Sequence, residues 1–187
     1  MVLSLDQVEL TDEQFYRLCA ANPNTPLERS AAGALVIMSL VEGESGEREA
    51  DLITDLALWN RQSKLGKVFS SSTLFKLPGG GDRSPDAAWI ESTRWEALSP
   101  EEKAGFPPIC PDFVIELRSK TDALPPLREK MAEYLASGLR LGWLINPQGR
   151  GVEVYRPAAK VETVPFPARL SGDAILPGFE LTWSLPD

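Results

Sequence analysis

Two short apolar segments of the chain each carry an acid, and a carboxylate in such a place restricts what the segment can fold into. The first reads Ser84-Pro85-Asp86-Ala87-Ala88-Trp89-Ile90. The second reads Pro111-Asp112-Phe113-Val114-Ile115-Glu116-Leu117-Arg118. Strand alternation puts Asp112, Val114, Glu116 and Arg118 on one face of the second, and Phe113, Ile115 and Leu117 on the other. Glu116 then sits in the middle of a hydrophobic strand, where a carboxylate without a partner is unfavourable by several kcal/mol. Asp86 has a similar setting beside Ala87, Ala88 and Trp89. Buried acids persist when they are paired, hydrogen-bonded or holding a cation, so chemistry is expected here. Two carboxylates on neighbouring strands repel unless a cation lies between them. An all-oxygen pair suits Mg²⁺, which takes one or two carboxylates and keeps several waters. Plain salt bridges from either acid to Arg118 are the alternative.

A helix follows, opened by Pro125-Pro126 and closed where Gly138 stands as a C-terminal cap. Its apolar stripe is Leu127, Met131, Tyr134 and Leu135, with Lys130 bordering the stripe on the Tyr134 side and Arg128 on the other. A lysine so placed ordinarily lays its stem over the core and keeps its ammonium in water. Leu141-Gly-Trp-Leu-Ile-Asn146 is a near-continuous apolar strand, expected to be buried on both faces. The turn Pro147–Gly151 joins it to Val152-Glu-Val-Tyr155, which alternates.

Elsewhere the signals are local. Thr11-Asp-Glu-Gln14 is a capping box that starts a helix with Phe15, Leu18 and Cys19 on its apolar face. Leu27–Ser30 and Ala34–Leu40 predict strands turning at Gly33, and Gly43–Gly46 predicts a loop. From about Glu47 to Gln62 a helix buries Leu52, Ile53, Leu56 and Trp59. Glu49 falls inside that stripe, either as an N-terminal acid complementing the helix dipole or as a carboxylate aimed into a site beneath. Strands are predicted at Val68–Ser71 and Thr73–Leu77. The glycine-rich Gly79–Arg83 fits a hairpin and no phosphate loop. Ser99–Glu102 starts a short helix, and Val161–Val164, Ala174–Leu176 and Phe179–Trp183 read as short strands. This order of elements indicates one α/β domain over residues 1–187 with a mixed sheet.

The chain has no histidine, which excludes Ser-His-Asp and Cys-His nucleophile systems, histidine-based nucleases and most catalytic zinc sites. Acid–base chemistry falls to carboxylates, lysine, tyrosine or metal-bound water. The net charge of −8 argues against broad attraction to nucleic acid but leaves room for a local basic groove. Arg48, Arg61, Lys64, Lys67 and Arg118 are candidate phosphate contacts, each by default a solvated surface charge. No run approaches the ~20 apolar residues of a membrane span, and Met1–Asp6 lacks the features of a signal peptide. Cys19 and Cys110 have no ligand-like spacing and are expected reduced, in a cytoplasmic protein.

An aspartate preceded by proline, then a strand bearing a glutamate, resembles the signature of the PD-(D/E)XK nuclease superfamily. The chain is most similar to its bacterial branch of small restriction-endonuclease-like proteins. Pro111 to Ser119 match that branch's Pro-Asp-(apolar)₃-Glu-(apolar)-x-Ser, Lys130 and Tyr134 its Lys-x-x-x-Tyr helix, and Gly138 to Pro147 its Trp-Leu-(apolar)-(Asp/Asn)-Pro segment. The resemblance spans about residues 25 to 183. It implies a restriction-endonuclease-like α/β fold, a mixed β-sheet flanked by helices with extra N- and C-terminal strands. It further implies Asp86 and Glu116 as ligands of Mg²⁺ (or Mn²⁺), with Glu49 as the helix-borne acid completing the site. Arg118 stands where the superfamily pattern has lysine. The branch supplies that lysine from the next helix, here Lys130, with Lys120 as a nearby competitor. The implied activity is metal-dependent hydrolysis of phosphodiester bonds in DNA, performed by a homodimer when both strands are cut. A binding module that kept the fold and lost catalysis is the alternative.

Overall fold

Local signals place the first elements. The computed structural model describes residues 2–3, 10–38 and 40–184 of the chain, so most of the Met1–Asp6 stretch lies outside the described residues. After β1 (Val2–Leu3), the capping box forms as expected: the Thr11 hydroxyl accepts from the Gln14 amide at 3.2 Å, and α1 (Asp12–Ala21) follows. Next come β2 (Leu27–Arg29), β3 (Leu35–Ile37) and α2 (Gly43–Ser63). The helix starts at Gly43, inside the predicted loop, because the first helical turn tolerates residues that a helix interior does not. Glu49 therefore lies beyond the first turn, where the dipole has little hold on it.

The next elements are β4 (Gly66–Ser70), β5 (Phe75–Lys76), β6 (Asp82–Arg83), β7 (Ala87–Glu91), α3 (Ser92–Glu96) and α4 (Pro100–Ala104). The glycine turn does make the expected hairpin, with Phe75 opposite Arg83 and Lys76 opposite Asp82. The first acid-bearing segment is shorter than expected: Asp86 stands just before β7 instead of within it. The chain closes with β8 (Phe113–Leu117), α5 (Leu124–Ala136), β9 (Leu141–Asn146), β10 (Gly151–Tyr155), β11 (Glu162–Pro165), β12 (Ala168–Ser171) and β13 (Glu180–Trp183). Ala174–Leu176, expected as a strand, is a turn whose amides at 175 and 176 both donate to the Gly172 carbonyl. The partner of β13 is β12 instead.

The strands form a mixed sheet of order β11-β10-β9-β8-β7-β4, a small sheet of order β1-β3-β2-β6-β5, and the β12–β13 ribbon. Among the described strands only β8 and β9 run parallel, and α5 is their crossover. A crossover helix must lie on a face of the sheet it connects, so α5 looks down on the residues that β8 turns toward it. Alternation along β8 sorts them as the sequence predicted. Phe113, Ile115 and Leu117 join a core with Leu52 and Leu56 of α2, Trp143, and the ribbon's Leu170 and Leu181. Val114 faces the opposite core, with Met131 and Tyr134 of α5, Leu144, and Phe75 from the small sheet. Glu116 shares that second face. A third, smaller cluster of Phe15, Leu27, Leu35 and Leu74 seals α1 onto the small sheet. No helix among the described residues is long and apolar enough to cross a membrane.

One close approach fixes α2 against the mixed sheet. Asn60 donates to the Gly66 carbonyl at 2.9 Å, and its own oxygen accepts from the Gly66 amide (3.1 Å) and from Trp89 Nε1 (2.9 Å). A Cβ on Gly66 would fall 2.3 Å from the Ile90 carbonyl oxygen and 2.4 Å from the Trp89 ring. Backbone cannot yield as a side-chain tip can, so Gly66→Ala is expected to cost about 3 kcal/mol of stability, read as a lowered urea midpoint. An unchanged midpoint would show that β4 is free to shift.

Candidate active site

Antiparallel pairing brings the two predicted acids to one end of the mixed sheet. Ala87 pairs with Ile115, so Asp86, one residue earlier, falls level with Glu116, and Asp86 Oδ2 accepts from the Leu117 amide at 2.6 Å. Glu116 is 2% exposed. One of its oxygens accepts from the Tyr134 hydroxyl at 3.0 Å, and Lys130 Nζ stands 2.9 and 3.1 Å from its two oxygens. Lys130 is 5% exposed, so the sequence expectation of a flanking lysine with its ammonium in water does not hold. One helical turn separates it from Tyr134, and both point at the sheet face that carries Glu116.

What draws the ammonium inward is a residue the sequence did not single out. Glu28, on β2 of the small sheet, is 1% exposed, and one of its oxygens lies 2.8 Å from Lys130 Nζ. The Ser84 amide donates to Glu28 at 2.8 Å and Arg83 Nη1 at 3.0 Å. Arg83 also holds Glu133 of α5, at 2.6 Å, and Lys130 donates to the Ser84 carbonyl at 3.0 Å. Lys130 thus touches two carboxylates and a carbonyl, which accounts for the three protons of an ammonium. A signal for Glu28 existed in principle: strand alternation sets it opposite Leu27 and Arg29, in a strand too short to carry a pattern.

The charges sort themselves by who answers whom. Burial works against both glutamates. At Glu28, Lys130 and Arg83 outweigh it and its pKa is lowered; at Glu116, the charge of Glu28 adds to burial and leaves the pKa raised despite Lys130 and Tyr134. Burial would strip Lys130 of its proton, but Glu116, Glu28 and Asp86 together raise its pKa. The lysine is accordingly a fixed cation and no proton acceptor. Asp86 is held well above the ordinary carboxylate range, first by loss of water and then by Glu116, with Lys130 and the Leu117 amide opposing and Glu49 adding a further like charge. Glu49, partly buried on α2, makes no hydrogen bond or ion pair among the described residues, yet it is close enough to be felt at Asp86.

Asp86 and Glu116 therefore stand side by side with a buried ammonium next to them, and the charge of Glu49 is felt at Asp86. No group of three or more His, Cys, Asp or Glu side chains among the described residues is set close enough to cage an ion. The donors suit an ion that takes one or two carboxylates and keeps its waters, which is the habit of Mg²⁺. The unrelieved repulsion at Asp86 is what a divalent cation would remove. Arg118, at the position where lysine was anticipated, is turned aside: its Nε donates to the Asp122 carbonyl (3.0 Å) and its Nη1 to Asn146 Oδ1 (3.1 Å). Lys120 lies farther out, 3.2 Å from Glu44 of α2.

With the geometry in hand, three comparisons bear on this chain. A family model described as "Uma2: Putative restriction endonuclease" matches residues 12–184. The crystal structure of a nuclease from Anabaena variabilis, described as putative and belonging to DUF820, superposes with a TM-score of 0.77 at 20% identity, covering 92% of this chain and 94% of that one. This likeness establishes the shared fold. Among curated proteins none matches.

Asp86 provides a test of the electrostatics. A carboxyl whose folded pKa is raised stabilises the fold fully below its unfolded pKa and loses that contribution as pH rises through the folded value. Asp86→Asn removes the ionisable group but keeps an oxygen for the Leu117 amide. In chelator at pH 8 the variant is expected to be more stable than the parent by at least about 1 kcal/mol, the worth of one pKa unit. The difference should shrink toward pH 4. Equal melting temperatures at pH 8 would mean that Asp86 is under no strain.

Proposed function

The chain belongs to the family of restriction-endonuclease-like proteins described by the Uma2 model, and on that premise we propose that it is a metal-dependent endonuclease hydrolysing phosphodiester bonds in DNA. The observation that carries this reading is the meeting of Asp86 and Glu116 beside the buried ammonium of Lys130. Asp86 and Glu116 would hold Mg²⁺ or Mn²⁺, with Glu49 binding a second ion or an ion-bound water. An ion held there would supply positive charge to the phosphoryl oxygens and lower the pKa of a bound water. Tyr134 fixes one oxygen of Glu116 and so sets how that carboxylate is presented. With Glu116 committed to an ion, one proton of Lys130 would be free to reach the oxygens on which charge develops as phosphorus is attacked, an interaction stronger in the transition state than before it. Glu28 and the Ser84 carbonyl hold the other two protons and keep the ammonium aimed. No step needs a histidine, in accord with a chain that has none. One such centre cuts one strand, so duplex scission calls for two copies.

A second reading has one observation in its favour. Among the described residues the acids form no ready cage, an arrangement that a nucleic-acid-binding module with this fold and no ion would share. Cleavage separates the two. Supercoiled plasmid and single-stranded DNA, incubated with Mg²⁺ or Mn²⁺, should be cut by the parent protein, and about 10²- to 10³-fold more slowly by Glu116→Gln and Asp86→Asn. Cleavage at one rate by all three would trace to a contaminant and remove the reading. Binding of DNA without cleavage would favour the module.

A further inference from the structure

Positive charge is sparsely free on this protein. It carries 19 Lys and Arg against 27 Asp and Glu, and most of the cations are engaged by a neighbouring carboxylate. Cations left without a carboxylate, or sharing a single carboxylate oxygen, therefore mark a place of interest. Arg48, Arg118 and Lys120 line one hollow of about 210 Å³, together with Glu44 and Gln148. It adjoins the candidate active site, since Arg48 precedes Glu49 on α2 and Arg118 follows Glu116 by two residues.

The hollow is held in shape by neutral groups. Arg118 spends two of its nitrogens on the Asp122 carbonyl and Asn146 Oδ1, and makes no ion pair among the described residues. The Asp122 carboxylate is occupied by the Ser119 amide at 2.9 Å, and Gln148 Nε2 donates to the Ser119 carbonyl at 2.8 Å. The loop carrying Arg118 and Lys120 is thus braced from both sides. One acid reaches two of the three cations: a single oxygen of Glu44 lies 3.2 Å from Lys120 Nζ and 3.6 Å from Arg48 Nη2. Glu44 and Lys120 are 59% and 61% exposed, and ion pairs so placed are worth little and dissolve readily.

We infer that this hollow binds the backbone phosphate next to the one that is cut, and that Glu44 occupies the place of that phosphate until a strand displaces it. The inference rests on the nuclease reading for its ligand, a nucleic-acid strand. It gives Arg118 a task, grip on the strand, in place of the catalytic one its position suggested. A phosphate brings more charge than a carboxylate and can bridge Arg48, Arg118 and Lys120 together, so it wins the exchange.

Binding in chelator tests this apart from cleavage. Anisotropy of a labelled 20-nucleotide DNA, single-stranded and duplex, is followed across salt for the parent protein, Lys120→Ala, Glu44→Gln and Lys160→Ala. Lys160 is exposed, makes no ion pair among the described residues and follows the Tyr155 end of β10, away from Pro147, so it controls for the loss of one charge alone. Lys120→Ala is expected to weaken binding about 5-fold and to reduce the slope of log K against log salt by about 1, the mark of one lost phosphate contact. Glu44→Gln should tighten binding about 3-fold, and Lys160→Ala should bind as the parent does. No binding by the parent, parent-like behaviour of Lys120→Ala and Glu44→Gln, or an equal loss in Lys160→Ala would each overturn it. A parent that binds through Lys120 yet never cuts would sink the nuclease reading alone.

Discussion

A lysine ammonium shut away from water is the constraint on which the rest of this structure depends. Alone, such a charge is unfavourable by several kcal/mol, and it is tolerable only where every proton has an acceptor. Lys130 meets that demand by drawing on three places in the chain: Glu28 from the small sheet, the Ser84 carbonyl from the segment entering β7, and Glu116 near the end of β8. Arg83 then closes the outer side, between Glu28 and Glu133. The small sheet is not an appendage on this account. Its docking supplies one of the carboxylates without which α5 could not lie so close to the mixed sheet.

The mixed sheet divides the interior into unlike halves. On the α2 side the core is dry and aromatic, with the Trp143 and Phe179 rings stacked at 5.8 Å and Phe113 edge-on to Trp143 at 4.8 Å. On the α5 side the apolar packing of Val114, Met131 and Leu144 gives way, toward the end of β8, to the charged cluster. Both acids of the cluster stand at adjoining ends of antiparallel strands, so they meet without any loop having to carry them there. Rigid strands hold functional groups in place more firmly than loops do.

How much of this could be read beforehand followed the reach of each signal. Capping boxes, the glycine hairpin, the alternation of β8 and the buried run of β9 depend on near neighbours, and all were legible. Asp86 and Glu116 stood out because an acid conflicts with its apolar surroundings. Glu28 did not, since between Leu27 and Arg29 it looks like an ordinary surface acid; its burial comes from docking across the fold. For Lys130 the resemblance alone pointed to the site, and the helical pattern left its ammonium in water for the same reason. Periodicity found the edge of the apolar stripe, but the sheet beneath α5 is itself charged at that point, so the inward face of the helix is broader than its apolar face. Pro165 and Pro167 before it and Gly172 after it hid β12, and the apolar Ala174–Leu176 is a turn between Gly172 and Gly178.

The bridging of two sheets by one ammonium has a consequence for how this protein would come apart. The small sheet is built from strands of two and three residues and adds its own modest cluster around Phe15, so it is poorly equipped to hold together once separated. Should it peel away first, the mixed sheet could persist with its acids in place, while Lys130 would face Glu116 with one carboxylate gone. Loss of competence would then precede loss of the native core, and a preparation could keep its spectroscopic signature of folding after its chemistry had failed.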